Sequence, residues 1–572
     1  EPAIGASIQV KGAETVGTIS DFDGNFTITL PSGTTHLIIS YVGYTTVEQE
    51  AKDGMVVRLT TDAEVLDEVM VVAYGTSTKK AFAGSATVVK SETLEKKNPT
   101  DVSKALAGEV AGVQVVSSSG QPGTSATIQI RGLGSINASS APLYVVDGVP
   151  FDGDVSAIDP SDIASTTVLK DATATSLYGS RGANGVILIT TKKGTSGESG
   201  KIEVDVKYGG NMRIIPLHNT ITSPEKYMEL AWESIYNQYW ITGKANQEVV
   251  GNVGGKDLTQ WVVGGIPAGR LATQKLFGDR GIPFGYNRWQ KPANGGSIIY
   301  DEQFIYDNNT GMLAGYNSNF GKFNPDFVQY PGYATDPGWE DALFRTGQKL
   351  EAKLNISGGS EKTTYYTSFG YLRDQGYYIG SDYSRVSGRV NVSHEVKKWL
   401  KGSMNMNYSY STFDNPGQEG DGVMNNGFFY VNSCPAIYPV FLYDAEGNRV
   451  QDPRIEGKDM YDYGDVYGRA FGIGINPAGA LQYDKQRTIQ HQILGNATLE
   501  ATLYKGLKLS ANIGFLYLGS TYAKLTNNYY GDAAGVGRIL KQSSHGFTLN
   551  ALQQLSYNND FGGDHDFSAF AA

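Results

Sequence analysis

Cysteine is almost absent. The 572-residue chain has one, Cys434, which excludes an intrachain disulfide framework and a cysteine-rich zinc site. Charge is sparse, at 18% of residues, and the net charge of −11 comes with no Lys/Arg-rich stretch. That argues against nucleic acid as a partner. No run of about 18 apolar residues occurs, so no transmembrane helix is available. Histidine numbers only six, none in a His-Glu-x-x-His arrangement. The chain begins at Glu1 with no methionine, basic segment or apolar leader, and reads as already processed, so the lack of a signal peptide does not argue against export.

Glycine and tyrosine are plentiful, at 71 and 36 residues. That balance fits an all-β protein with many turns and aromatic belts. The length exceeds one ordinary domain. Residues 1–60 read as a small β domain. Asn25–Leu30 alternates polar and apolar residues, His36–Val42 is a short apolar strand, and Asp23-Gly24 and Pro31-Ser-Gly33 are turn signals. Asp21-Phe-Asp-Gly-Asn25 looks like half a calcium loop, but the remaining oxygen ligands do not follow. A plain turn is the simpler reading.

Residues 61–80 form a linker. Its centre, Leu66-Asp-Glu-Val-Met-Val-Val-Ala-Tyr-Gly75, is a short β-forming run between polar flanks. Such a segment can add itself to the open edge of another sheet. It can equally be the last strand of the first domain, and the residues alone leave both readings open.

Residues 81–195 read as a mixed α and β unit. Ser103–Val110 is a short helix with Asp101 as a possible cap. Ala126–Arg131, Leu143–Pro150 and Gly185–Thr191 are strands, the second closed by a turn at Asp147-Gly148. Asp171–Tyr178 reads as one or two helical turns ended by Gly179. Gly132-Leu-Gly134 lacks the third glycine of a dinucleotide-binding loop.

From residue 200 to 572 the pattern changes to long runs of period two. In Lys201–Tyr208, Ile202, Val204, Val206 and Tyr208 oppose Lys201, Glu203, Asp205 and Lys207. Leu350–Ile356, Val386–Val396, Leu400–Tyr410, Leu507–Tyr517 and Phe547–Tyr557 repeat the design. Runs of about ten residues suffice to cross a bilayer at a tilt, whereas strands of a soluble sandwich are mostly about five or six residues long. The connections between them alternate in length. Those near 211–346, 374–382, 412–484 and 519–540 are medium to long, and those near 358–362, 394–398 and 504–506 are short. A transmembrane barrel has short turns on one rim and long loops on the other. The first long loop carries a helix over Tyr227–Tyr236, with Ser223 as cap and Pro224 in its first turn. Its aromatics, with Trp240, Trp261, Trp289 and Trp339, suit sugar stacking or plain loop packing. Eight strands are clear and a ninth starts near Asp564. An open edge cannot sit in lipid, and eight strands close too narrowly to hold a domain, so the wall reads as part of a larger barrel.

Several of these stretches resemble signatures of the SusC/RagA family of TonB-dependent transporters. They are Leu66–Gly75; Ala107-Gly-Glu-Val-Ala-Gly-Val-Gln114; Leu143-Tyr-Val-Val-Asp-Gly-Val-Pro150; the long run Val168–Gly194; and Ile356–Tyr366. The N-terminal region resembles a carboxypeptidase regulatory-like (transthyretin-like) module in Gly17–Phe26 and Ile39–Tyr44. The resemblance implies a mainly β fold: a transmembrane antiparallel barrel of about 22 strands in the full protein, an α+β plug, and a small N-terminal β-sandwich.

For function, the resemblance implies TonB-dependent active import of a large nutrient, a glycan or an oligopeptide, across the outer membrane. It places the TonB box on Asp67, Glu68, Val69, Met70, Val71, Val72 and Ala73. It implies TonB with ExbB and ExbD as energy source, a SusD-like surface lipoprotein as lid, outer-membrane lipid around the barrel, and an N-terminal domain in the periplasm. A dimer of transporter–lipoprotein pairs is one assembly it allows. It implies no cofactor, no metal and no catalytic residue. The nearest rival is a siderophore or vitamin receptor without a lid. A non-transporting adhesive barrel would need neither plug nor coupling linker, and a glycan-cleaving enzyme would need a carboxylate pair that nothing in the spacing singles out.

Overall fold

The computed structural model describes residues 3–571 except 4, 12, 32–35, 42–43, 60–68, 73–74, 79–84, 98–99, 118, 135–138, 172–174, 198, 215–219, 278–285, 287, 417–425, 470 and 561–565. The largest element is a nine-stranded sheet in which each strand pairs antiparallel with the next in sequence, from Lys201–Asn211 through Gly347–Gly359, Thr363–Gln375, Asp382–Lys397, Leu400–Asp414, Lys485–Tyr504, Leu507–Thr526 and Arg538–Asp560 to Asp566–Ala571. The sequence runs lie inside these strands, which extend further at the ends that meet the long loops.

Parity divides this wall into two faces. One row of paired residues reads Val204, Leu354, Phe369, Gly388, Tyr408, Ile493, Tyr517, Phe547. The adjacent row reads Asp205, Lys353, Gly370, Ser387, Ser409, Gln492, Leu518, Gly546. The first row points away from the protein and, though apolar, is exposed or half-buried; Val204 is 72% and Phe547 66% exposed. The second faces the plug, and Lys353, Ser387, Ser409 and Gln492 are buried there. A slip of one residue would exchange the faces completely, so the buried polar row fixes the register.

The N-terminal unit has a four-stranded sheet ordered Ala13–Ile19, Ser7–Val10, His36–Tyr41, Tyr44–Glu50. The expected strand over Asn25–Leu30 is absent. Phe26 and Ile28 still pack on Ile8, Val10, Leu37 and Ile39, as do Met55, Val57 and Leu59. The alternation there produces a second layer by burial, without ladder hydrogen bonds. Asp21 spends its carboxylate on its own turn, accepting from the backbone N–H groups of Asp23 and Asn25 at 3.0 and 2.8 Å. Among the described residues no group of acidic, His or Cys side chains could hold a metal.

The plug is built on a five-stranded sheet ordered Val149–Phe151, Leu143–Val146, Val186–Thr191, Ile163–Leu169, Ala86–Lys90. Asp147 and Gly148 turn the first hairpin with φ of 47° and 85°, the left-handed pair that a two-residue hairpin requires. Asp101 caps a helix as expected, accepting from Ser103 N–H at 2.6 Å. That helix covers only Val102–Ala105; the chain turns left-handed at Gly108, with φ of 77°.

Above the long-loop rim, the loops form their own cores. The helix Pro224–Ile241 starts at Ser223, whose hydroxyl accepts from Lys226 N–H at 3.1 Å. Its Trp232 packs with Tyr286, Trp289 and Ile437, and Trp339 packs with Tyr430 and Val440. Burial pushes the loop thiol of Cys434 up to about 12, so it stays protonated and unreactive.

The face assignment predicts a depth-dependent cost for charge. Ile513 is outward and 55% exposed, midway along its apolar run. Ile513→Arg is expected to destabilise the refolded full-length protein in vesicles by about 2–4 kcal/mol, and Tyr504→Arg at the short turn by about 1 kcal/mol or less. Urea titration reads both; equal costs would contradict the assignment.

Candidate functional site

The plug docks on the wall in two ways. Towards strands Lys485–Tyr504 and Leu507–Thr526 the contact is apolar: Leu494 and Leu516 join the plug core of Val149, Phe151, Val155 and Ile158. Gly514 is what lets the plug come so close. A Cβ there would stand 2.4 Å from Val149 Cγ2.

Towards the other strands the contact is ionic and buried. Asp159-Pro-Ser-Asp162 forms a single capped turn, Asp159 accepting from Ser161 N–H at 3.0 Å. A proline at the first helical position and an aspartate cap are the usual makings of such a start. The turn presents both carboxylates to the wall. Lys353 Nζ lies 2.7 Å from Asp162 Oδ1 and 3.5 Å from Asp159 Oδ1, and also donates to Ser161. Arg385 reaches Asp159 at 3.3 Å and donates to the Ser156 carbonyl at 2.6 Å. Tyr366 and Ser368 each donate to Asp162 at 3.0 Å.

A second anchor is the hairpin turn itself. Asp147 accepts from Thr191 Oγ1 at 2.7 Å and from Asn405, its carbonyl accepts from Asn496 at 2.8 Å, and Arg389 approaches its carboxylate at 3.4 Å. Burial alone would push the Asp159 carboxyl up. The Arg385 guanidinium and Lys353 ammonium overcome that and hold it below the usual carboxylate range. Arg389 is less well served: its Nε and Nη2 make no hydrogen bond among the described residues.

The sequence marks Asp147 only as a turn residue, and it does not single out Asp159 or Asp162. The signal was present in two places: the capped Asp-Pro-Ser-Asp turn, and Arg385 and Arg389 four apart on the polar face of one strand. The linker residues fall elsewhere. Asp67, Glu68 and Ala73 lie outside the described residues. Val69–Val72 forms a strand paired antiparallel with Gly75–Thr78. This hairpin is a separate two-stranded sheet, not a fifth strand of the N-terminal unit, and it lies near plug strands Ile163–Leu169 and Val186–Thr191. Of the candidate stacking residues, Trp289 and Trp339 are buried packing groups. Trp240 and Trp261 stack on each other, ring centres 6.2 Å apart.

Residues 78–186 match the TonB-dependent Receptor Plug Domain family, and residues 1–71 match the CarboxypepD_reg-like domain. The plug matched here, set against an antiparallel wall, is that of TonB-dependent receptors. Within that class the likeness is to the SusC/RagA type. The chain is 28% identical over 98% of its length to the TonB-dependent receptor SusC of Bacteroides thetaiotaomicron, and spans 48% of that relative. A TonB-dependent receptor of Formosa agariphila is 30% identical over 71% of the chain and 33% of the relative. The chain also superposes on the RagAB peptide importer in its 'open-open' state with a TM-score of 0.62 and 27% identity, covering 88% of this chain and 48% of that one. It thus spans about half the length of the curated relative SusC. The proteins it resembles are transporters and receptors, not enzymes.

The ionic anchor gives two expectations. Lys353→Ala leaves two carboxylates buried beside each other and is expected to weaken plug docking by about 3–5 kcal/mol. Denaturant titration of plug release would read this; a loss under about 1 kcal/mol, the usual value of an exposed pair, would show that the contact is not buried in solution. Because the Asp159 carboxyl is depressed, its contribution is complete above about pH 4, where an unfolded aspartate is ionised, and is lost only as pH falls below that. In Asp159→Asn the part of the acid-induced loss due to this group should disappear.

Proposed function

We propose that this chain is the plug-bearing part of an outer-membrane importer that takes up a large nutrient, a glycan or an oligopeptide, with energy delivered through TonB. The observation that carries the reading is a globular plug held by buried ion pairs against a wall of long strands whose outer face is apolar. Such a wall suits lipid on one side and a polar passage on the other. The plug blocks the passage, so import needs it to move. The segment Asp67–Ala73 is the proposed point of pull, with the N-terminal domain on the periplasmic side and TonB adding a strand to the segment. A SusD-like lipoprotein is the proposed lid over the long loops; the likeness to the RagAB importer supports a two-component assembly. The likeness to the RagAB peptide importer supports a peptide as cargo; a glycan is the other large nutrient that the SusC/RagA resemblance implies.

Deleting Asp67–Ala73 from the full-length protein should abolish uptake of fluorescent oligosaccharide or oligopeptide mixtures by whole cells while leaving their surface binding intact. Normal uptake in that strain would sink the assignment. Mild detergent extraction of the tagged protein should bring down a surface lipoprotein in equal amount; the transporter alone would favour a lidless receptor for a siderophore or vitamin.

A further inference from the structure

The outward face of the wall changes character near the long-loop rim. On strand Lys485–Tyr504 the outward residues above Ile493 are His491, Ile489, Arg487 and Lys485. On Arg538–Asp560 those above Phe547 are His545, Ser543, Lys541 and Ile539. Between them, strand Leu507–Thr526 offers Gly519, Thr521 and Ala523, and then Leu525 at the rim. Register aligns these in rows: His491, Gly519, His545; then Ile489, Thr521, Ser543; then Arg487, Ala523, Lys541. Through these three rows small residues floor a groove two strand spacings wide, about 10 Å, with histidines on both walls in the first row, Ile489 facing Ser543 in the second and cations on both walls in the third.

The groove is built rather than incidental. At its foot the Tyr517 hydroxyl meets His545 Nδ1 at 3.2 Å, and on the outer side of the other wall Tyr408, from strand Leu400–Asp414, meets His491 Nδ1 at 3.0 Å. Each ring is held through Nδ1, His491 against Tyr408 and Tyr410 and His545 against Tyr517. Thr521 and Ser543 bridge at 3.1 Å. Asp414 grips Arg487 through Nε at 2.5 Å and Nη2 at 2.8 Å, which fixes its guanidinium. Lys541 and Lys485 have no ion-pair partner among the described residues. At its upper end the groove meets a cavity of about 750 Å³ lined in part by Arg487, Ala523, Leu525 and Ile539.

The groove begins where the apolar band ends, at the aromatic row of Tyr408, Tyr517 and Phe547. Aromatic residues of this kind mark a membrane–water boundary. Cations above that boundary on a lipid-facing surface match anionic headgroups. We infer that this groove binds the phosphorylated headgroup of an outer-leaflet glycolipid, with Arg487 and Lys541 on phosphate and the two histidines on sugar hydroxyls. The inference rests on the outer-membrane reading above. It concerns the lipid-facing surface, not the passage.

The test uses the full-length protein extracted from native outer membranes. Retained phosphorylated glycolipid per protein is measured by mass spectrometry, and thermal stabilisation is followed on adding bisphosphorylated lipid A, the same lipid dephosphorylated, or inorganic phosphate. Wild type and the opposite-rim variant Lys505→Gln should retain the lipid and be stabilised by the phosphorylated form alone. The pair Arg487→Gln with Lys541→Gln should bind it at least about tenfold more weakly, as expected for losing two charge-assisted contacts. The pair His491→Gln with His545→Gln, which leaves both cations in place, should lower binding by a smaller factor. Equal retention in the Arg487/Lys541 pair, or equal stabilisation by dephosphorylated lipid, overturns the proposal. Stabilisation by inorganic phosphate alone as strong as by the lipid makes this a free-anion site and also overturns it. Protein absent from the outer-membrane fraction would instead sink the importer reading, whereas outer-membrane protein indifferent to the lipid sinks only the groove.

Discussion

A strand with hydrocarbon on one side and a polar interior on the other must allot its side chains by parity, because nothing in the hydrocarbon can satisfy a stray polar group. The rest of this structure depends on that constraint. It forces apolar residues outward and polar ones inward over nine strands. It thereby gives the wall an inner face on which Lys353, Arg385 and Arg389 are available to hold a second domain. The plug answers with carboxylates placed on turns, where four residues can bring two of them to the wall at once.

That choice of contact matters under the proposed function, in which the domain is displaced. A plug glued by hydrocarbon alone would expose apolar surface on release, at about 25 cal/mol per Å². Buried ion pairs behave differently. Desolvation absorbs much of their Coulombic attraction, so an intact pair contributes little net stability, while a broken one inside the protein is costly. Releasing the whole interface into water restores hydration to both partners. The incomplete hydrogen bonding of Arg389 moves the balance further in that direction. The result is a plug that is specific in position yet separable. The apolar contact at Leu494 and Leu516 is confined to one side of the wall.

Much of this architecture was legible in the sequence, because period two over ten residues and alternating loop lengths are both consequences of crossing a membrane. The helix cap at Ser223, the turn at Asp147-Gly148 and the wall strands came out where the residues put them. Asn25–Leu30 shows the limit of the rule. Alternation reports which side chains are buried, and Phe26 and Ile28 are buried, but it does not report whether the backbone finds a ladder partner. The ionic anchor was not read, because its members are separated by some 200 residues and meet only through the tertiary fold. Arg385 looked like any polar residue on a strand until Asp159 was placed beside it. The tryptophans of the first long loop were ambiguous for a related reason: composition cannot distinguish a ring that packs, such as Trp289, from one that stays partly open, such as Trp240.

Under the proposed assignment, the linker hairpin bears on how a pulling segment can be both held and available. Val69–Val72 satisfies one edge by pairing with Gly75–Thr78. A two-stranded hairpin by itself is marginal in water, so this pairing is a weak claim on the segment. A strand arriving from another protein offers backbone hydrogen bonds of the same kind, and exchange of one for the other is close to neutral in hydrogen bonding. What decides between them is then the length of the pairing and the local concentration of the incoming strand, not a large barrier of lost contacts. Under the proposed assignment, four paired residues are enough to keep an apolar run from binding non-specifically, and few enough to be surrendered when a longer partner arrives.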